Sequence, residues 1–121
     1  METSEFEVLV HQALDQIPPE IRMHLDNVDL VVEEWPSNEQ LVGSGIEKEQ
    51  LLLGLYEGLP LTERSDYGMV LPDKITLFQK SIEEICDTRE EIVEEVRDTV
   101  VHEVAHHFGI SDEELHDWGV A

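Results

Sequence analysis

Basic residues and cysteines are scarce in this chain, and each shortage excludes a class of function. Seven Lys and Arg residues stand against 29 Asp and Glu residues, so the formal net charge is −22 at pH 7. This charge repels phosphate backbones and anionic lipid headgroups, which excludes nucleic acid and membrane surfaces as partners. Cys86 is the only cysteine, so an intramolecular disulfide and a zinc site built from thiolates are excluded. The spacing of Ile82, Ile85 and Cys86 predicts the buried side of a short helix, with Cys86 as a core thiol.

Long apolar runs are absent as well. No stretch approaches the length of a membrane-spanning helix. The opening residues METSEFEVLVHQALDQ lack the basic region and apolar core of a signal peptide, and we interpret them as an amphipathic helix. We therefore predict a cytoplasmic protein with a single domain over residues 1–121, large enough for one hydrophobic core. Its excess carboxylates are expected mainly on solvated helix faces, and they would attract a cationic or unfolded polypeptide.

The segment VVHEVAHHFGISDEEL, at residues 100–115, carries the strongest indication of chemistry. His102, Glu103 and His106 have the spacing H-E-x-x-H on a predicted helix. Residues four apart share a helix face, so both imidazoles can reach the same ion. Glu103 then stands beside that ion, where a base acting on metal-activated water is required. The motif predicts a zinc peptidase, although H-E-x-x-H also arises by chance on an acidic surface helix.

The sequence around the motif supports the helix. Thr88 and Glu91 have the spacing of a capping box at its start, and Gly109 supplies the left-handed residue that ends a helix. Apolar residues recur at helical spacing and predict a buried stripe: Ile92, Val93, Val96, Val100, Val104 and Phe108.

A third metal ligand is expected just after the motif helix. A chain that turns sharply at Gly109 can bring Asp112 back towards the ion, and catalytic zinc commonly takes three protein ligands and one water. The alternative is that Asp112 only decorates a helix start, because Ser111 and Glu114 form a second capping box and an acidic first turn suits the helix dipole. His116 is the reserve candidate for the third ligand or for a transition-state donor.

Other polar side chains have weaker assignments. His107 lies about 100° around the helix from His106 and cannot easily share the ion, so we expect it to line the cleft. Asp98 either hydrogen-bonds His102 or is a solvent-exposed carboxylate. Tyr67 either donates to an oxyanion or packs its ring and hydrogen-bonds locally, as we expect for Tyr56. The histidines without a partner at ligand spacing are predicted surface or boundary residues: His11 and His24.

The glycines and prolines that separate the predicted elements indicate an α+β fold. In this fold a small β-sheet packs against helices, and the active-site helix lies near the C-terminus. The predicted helices cover residues 3–16 and 19–25; the predicted strands cover 28–34, 51–57 and 74–80; a loop covers 35–50. Either of the last two strands could present an exposed edge to an extended peptide. The connection 58–73 is either a lid or wall of the cleft, or a plain surface link.

The motif and three further segments resemble one protein family. HEVAHHFGISDEEL, LLGLYEGLPLTERS (52–65), LPDKITLFQ (71–79) and the ending LHDWG are similar to the small bacterial zincin-like metallopeptidases, and the resemblance covers most of the chain. It implies a zincin-like fold, a metal bound by His102 and His106, Glu103 as the catalytic glutamate and Asp112 as third ligand. The larger metzincins have histidine where this chain has Asp112, and a methionine turn after the motif that this chain lacks. Their substrate preferences therefore do not transfer.

The sequence predicts a zinc-dependent metallopeptidase that acts on a peptide or protein substrate, with Glu103 as general base and one Zn²⁺ ion. Mn²⁺, Co²⁺ and Ni²⁺ also bind histidine and carboxylate ligands. Two other interpretations stay open: a metal site that stabilises a small domain for binding another protein, and an interaction module with a relic motif. The sequence assigns no oligomeric state.

Overall fold

Helices near both ends of the chain enclose three short strands. The structure is a computed structural model and describes residues 1–44, 51–58 and 73–119. Within these ranges the α-helices are α1 (Thr3–Asp15), α2 (Pro19–Arg22), α3 (Asn38–Gly43), α4 (Gln79–Ile85), α5 (Arg89–Phe108) and α6 (Asp112–Asp117), with a 3₁₀ turn at Met23–Leu25. The strands are β1 (Val28–Glu33), β2 (Gly54–Glu57) and β3 (Asp73–Phe78). The predicted α+β architecture is confirmed, with α5 as the motif helix.

The sheet has the order β1-β3-β2. Strand β1 runs parallel to β3, whereas β2 runs antiparallel to it. The register places Ile75 of β3 between Leu30 of β1 and Tyr56 of β2. Both sides of β3 are therefore paired, and the prediction that residues 74–80 could present a substrate-binding edge is wrong. Strand β2 has β3 as its one strand neighbour in the described part of the chain, so it keeps an edge.

One face of the sheet packs against the helices and forms the hydrophobic core. Side chains alternate along a strand, so Ile75 and Leu77 project to one face and Thr76 to the other. Ile75 and Leu77 are fully buried and join a core formed with the apolar faces of α1 and α5. Helix α1 contributes Phe6 to this core, and α5 contributes a row of valines that includes Val100. The core thus lies between the sheet and the helices, and it fixes α5 against β2 and β3.

Helix α5 begins and ends as its sequence predicts. The Thr88 hydroxyl oxygen accepts a hydrogen bond from the backbone N–H of Glu91 at 3.1 Å. At the other end Gly109 has a φ of 70°, and the Ile110 N–H donates to the Ala105 carbonyl at 2.8 Å. The predicted buried stripe is confirmed except at Phe108, whose side chain is 44% exposed. Phe108 is the last residue of α5, beyond the part of the helix that the core covers.

The predicted loop at 35–50 contains a helix that the sequence reading missed. Ser37 and Gln40 form a reciprocal capping box: the Gln40 N–H donates to the Ser37 hydroxyl at 3.1 Å, and the Ser37 N–H donates to the Gln40 side chain at 2.9 Å. Helix α3 is only six residues long, too short to show a helical period. Its capping box was the available signal. Residues 45–50 of the predicted loop lie outside the described residues.

Two predicted strands and one predicted helix face need correction. Strand β2 is shorter than the predicted 51–57, and the last two residues of the predicted strand 74–80 begin helix α4 instead. Ile85 ends α4 and is 48% exposed, so its prediction as a buried residue is wrong. Cys86 is half-buried and packs against the core, as predicted. None of the helices in the described ranges has the length and apolar character needed to cross a membrane.

Candidate active site

The H-E-x-x-H motif occupies the last two turns of α5, where the helix packs against β2. Glu103 is half-buried, whereas His102 and His106 are exposed. The close approach of strand and helix depends on Gly54, because a Cβ atom at that position would lie 2.6 Å from Cγ2 of Thr99. Thr99 lies one helical turn before Glu103. The absence of a side chain at Gly54 therefore allows the strand to reach the motif.

The Glu103 carboxylate lies beside the neighbouring strand. The backbone N–H of Tyr56 is near enough to lower the pKa of this carboxyl group. Burial raises the pKa of the Glu103 carboxyl group, and this effect exceeds the lowering by the Tyr56 N–H and by the nearby imidazoles of His106 and His102. A half-buried carboxylate with increased proton affinity has the properties required of a general base.

Two surface pockets meet at Glu103. The first has a volume of about 490 Å³ and is lined by Glu103, His106 and His107 of α5, by Leu52, Leu55 and Tyr56, and by Gly43 and Ser44 at the end of α3. The second has a volume of about 300 Å³ and is lined by His102, Glu103, Glu95, Thr99, Leu53 and Gly54. The first pocket is called the motif pocket below. Glu103 thus lines two neighbouring pockets, each of which is open to the surface beside strand β2.

His102 and His106 fit a zinc site in residue type and in spacing. The predicted third ligand, Asp112, does not lie in one group with them. Imidazole nitrogens four residues apart on a helix are the donors that zinc takes in H-E-x-x-H sites, and both affect the pKa of the same carboxyl group. In residues 1–44, 51–58 and 73–119, no three His, Cys, Asp or Glu side chains are close enough together to hold a metal ion. Asp112 and His116 are exposed on α6 and line neither pocket. Their role as third ligand stays a prediction.

The end of α6 nearest the motif has the second cap that the sequence predicts. The Ser111 hydroxyl oxygen accepts from the Glu114 N–H at 3.1 Å and donates to the Glu114 carboxylate at 3.2 Å. Asp112 is the first residue of this helix. Its position is therefore the one that a helix dipole favours for an acidic residue, and the two interpretations of Asp112 both stand.

His107 joins a small aromatic cluster on the wall of the motif pocket. Its ring stacks on Tyr56 with centroids 3.9 Å apart, and the Tyr56 hydroxyl donates to Asp73 Oδ2 at 2.6 Å. His107 lines the motif pocket, and Tyr56 packs its ring on His107 and hydrogen-bonds to Asp73. His24, predicted as a surface or boundary residue, is half-buried and packs its ring against Phe108 at 4.5 Å. This cluster joins the end of α5 to β2 and to the 3₁₀ turn.

Besides Glu103, the carboxylate that lines a pocket with His102 is Glu95 rather than Asp98. Asp98 accepts a hydrogen bond from Arg97 Nε at 3.1 Å, and no hydrogen bond joins it to His102 in the described structure. Glu95 shares the smaller pocket with His102. Burial and Asp98 raise the pKa of Glu95, while His102 lowers it. Glu95 lies seven residues before His102, a separation of two helical turns that places both residues on one face and was the signal available in the sequence.

Two predicted features fall on residues that the structure does not describe. Tyr67, considered as an oxyanion donor, lies outside the described residues. The connection 58–73, considered as a lid or wall, lies outside them except at its two ends. The exposed Gly58 stands near the cluster, because a Cβ atom there would lie 3.1 Å from Cε1 of His107.

Comparison with known proteins agrees with the predicted fold and family. The family model for zincin-like metallopeptidases matches residues 25–120. The fold is similar to that of a conserved hypothetical protein from Thermo thermophilus, with a TM-score of 0.57 and 23% sequence identity over 89% of this chain and 94% of that one. No curated protein matches the chain. Because the family model spans most of the chain, including all of α5 and α6, this protein belongs to the zincin-like metallopeptidase family.

Proposed function

We propose that this protein is a zinc-dependent peptidase that hydrolyses a peptide bond in a peptide or protein substrate, with Glu103 as general base. The observation that carries the proposal is the setting of Glu103. Its carboxylate is half-buried, is near the Tyr56 N–H and both motif histidines, and lines two pockets beside strand β2. A chance H-E-x-x-H on a surface helix would leave the glutamate solvated and without such a contact.

The metal requirement follows from the donor set. His102 and His106 would hold the ion, with Asp112 as the proposed third ligand and His116 as the reserve. When bound, zinc supplies a water of lowered pKa and polarises the scissile carbonyl. Other divalent transition metals bind similar ligands, so zinc is the proposal rather than the sole possibility. The cytoplasmic location predicted from the sequence also stays a prediction.

The residues of the chain itself carry the proton transfer. Glu103 takes a proton from the attacking water and later delivers it to the leaving amine, so that it acts first as base and then as acid. The Tyr56 N–H lies beside the carboxylate and would help to orient it for both steps. The edge of β2 would hold the substrate backbone in an extended form through main-chain hydrogen bonds.

The test compares metal content and peptide cleavage in three purified variants. Glu103→Gln should retain zinc and lose cleavage, because the amide keeps the size of the side chain but accepts no proton. His102→Ala should lose the metal. His11→Ala removes an exposed histidine of α1, far along the chain from the motif, and should change neither property. Metal is measured by elemental mass spectrometry after desalting, and cleavage is measured with a peptide library.

The outcomes separate the proposal from its rival. Cleavage by Glu103→Gln at the wild-type rate would refute the assignment of the base. Full zinc affinity in His102→Ala would refute the ligand assignment. The rival function is a metal-binding or protein-interaction domain without catalysis. Stoichiometric zinc in the wild-type protein without cleavage of any peptide would support that rival.

A further inference from the structure

A third pocket adjoins the motif pocket on the other side of strand β2. It has a volume of about 700 Å³ and shares Gly43, Leu55 and Tyr56 with the motif pocket. Leu55 and Glu57 project to the face of the sheet opposite the helical core, since they alternate with Gly54, which packs on α5. Helix α3 forms the opposite wall. A chain that leaves the motif pocket across β2 therefore enters this space directly, and we call it the outer pocket.

The outer pocket combines an aromatic surface with negative charge. Trp35 is half-exposed, at 50%, and lines the pocket with Glu33, Glu39 and Glu57. Among the residues that the structure describes, its lining contains no Lys or Arg. Glu57 accepts a hydrogen bond from Gln40 Nε2 at 3.2 Å. Lys74 lies opposite Glu57 in the register but does not line the pocket. The described residues place no ion pair on Glu33 or Glu39, so two carboxylates are available to an incoming cation.

We propose that the outer pocket is a specificity subsite that binds a basic side chain, arginine or lysine, of the peptide substrate. The aliphatic stem of such a side chain covers the apolar surface of Leu55 and Trp35, and the indole face attracts the cation. Glu33 and Glu39 then accept charge-assisted hydrogen bonds from its head group. A neutral side chain of the same shape gains only the stem contact. This inference rests on the proposed peptidase function, because it assigns the class of residue that the substrate carries beside the cleaved bond.

The test measures binding separately from cleavage. The probes are alanine-based peptides in which one arginine is moved through each position, each paired with the same peptide containing citrulline, the neutral isostere of arginine. Binding is followed through Trp35 fluorescence in the zinc-loaded double variant Glu103→Gln, Trp118→Phe, where Trp35 is the remaining tryptophan. For the best position, the arginine peptide should bind about tenfold more tightly than its citrulline partner, the sum expected from a partly exposed ion pair and a cation–π contact.

Charge variants test whether Glu33 and Glu39 cause the preference for arginine over citrulline. In Glu33→Gln, Glu39→Gln the ratio of arginine to citrulline affinity should fall to about threefold, because only the cation–π contact with Trp35 remains. The control is Glu7→Gln, Glu20→Gln, which removes the same charge from exposed positions on α1 and α2, and it should keep the ratio. Equal affinity for the two peptides at every position would overturn the proposal. So would a ratio that falls equally in both charge variants, because net charge alone would then explain the preference.

Cleavage by the wild-type zinc protein distinguishes the two proposals. Cleavage of arginine and citrulline peptides at equal kcat/KM would leave the peptidase intact and refute the subsite. A tenfold binding preference without cleavage of any peptide would retain the basic-side-chain pocket and refute the proposed function. Cleavage with an arginine preference that decreases in Glu33→Gln, Glu39→Gln and not in the control variant supports both.

Discussion

Gly54 of strand β2 packs against Thr99 of helix α5, and an added methyl group there has a calculable consequence. A Cβ atom would lie 2.6 Å from Cγ2 of Thr99, 3.2 Å from the Thr76 carbonyl oxygen and 3.4 Å from Cδ2 of Leu77. The first distance requires a shift of helix or strand, because Thr99 is buried and its branched side chain is stiff. No positive φ is present at Gly54, so the effect of Gly54→Ala is steric rather than conformational.

The expected change in the free energy of unfolding for Gly54→Ala is the sum of two opposed effects. Overpacking a core with one methyl group typically costs about 1–3 kcal/mol. Replacing glycine restricts the unfolded chain and returns about 0.4–1 kcal/mol. We therefore expect Gly54→Ala to lower the free energy of unfolding by about 1–2 kcal/mol. Gly43→Ala is the matched control, since a Cβ atom at Gly43 of α3 has no atom within 4 Å. The control should be neutral or slightly stabilising because alanine is the better helix former.

A second substitution identifies the clash. Thr99→Ser removes the methyl group that the new Cβ would strike, and alone it should cost about 1 kcal/mol of buried methyl surface. In the double variant the methyl group introduced at position 54 fills the space left by Cγ2, so the two losses should not add. Urea unfolding of the four proteins gives the coupling free energy, which we expect at about 1 kcal/mol or more in favour of the double variant. Losses that add to within about 0.5 kcal/mol would refute the packing argument.

Two further predictions concern the end of α5 and the single thiol. Gly109→Ala should lower the free energy of unfolding by about 1–2 kcal/mol, because its φ of 70° is left-handed and the site is sterically open. Gly109→Asn should cost less, and equal losses in urea unfolding would contradict this account. Burial, followed by Glu95, Glu91 and Asp87, raises the pKa of Cys86. The folded protein therefore holds less thiolate at pH 8, and iodoacetamide should alkylate it more slowly than in urea. Equal rates in both conditions would show that the raised pKa is wrong.

The parts of the structure that the sequence predicts well are those set by neighbouring residues. The caps at Thr88 and Ser111 and the stop at Gly109 each depend on residues within one turn, and all three are present. The capping box at Ser37 is equally local. It was missed because the six-residue helix that follows it is too short to show a helical repeat of apolar residues. The Gly, Ser and Asn content of the surrounding segment indicated a loop instead.

The errors in the sheet have a different origin. Strand length and position depend on which partner pairs with which residue, and that choice is made by contacts between distant segments. Residues 51–53 have strand-like composition, yet the ladder with β3 begins at Gly54. The central position of β3 is likewise a property of three segments together. No periodicity within residues 74–80 distinguishes a central strand from an edge.

The candidate site also combines local features, which the sequence predicts, with long-range contacts, which it does not. The spacing of His102, Glu103 and His106 is local and was read correctly as a helix face. The environment of Glu103 is not local, because the Tyr56 N–H reaches it from a strand far away in the sequence. The proposed subsite also depends on that strand, since Leu55 and Tyr56 line both the motif pocket and the outer pocket. Strand β2 therefore links the base to the pocket that we propose for a basic side chain, and its packing through Gly54 is a requirement of both.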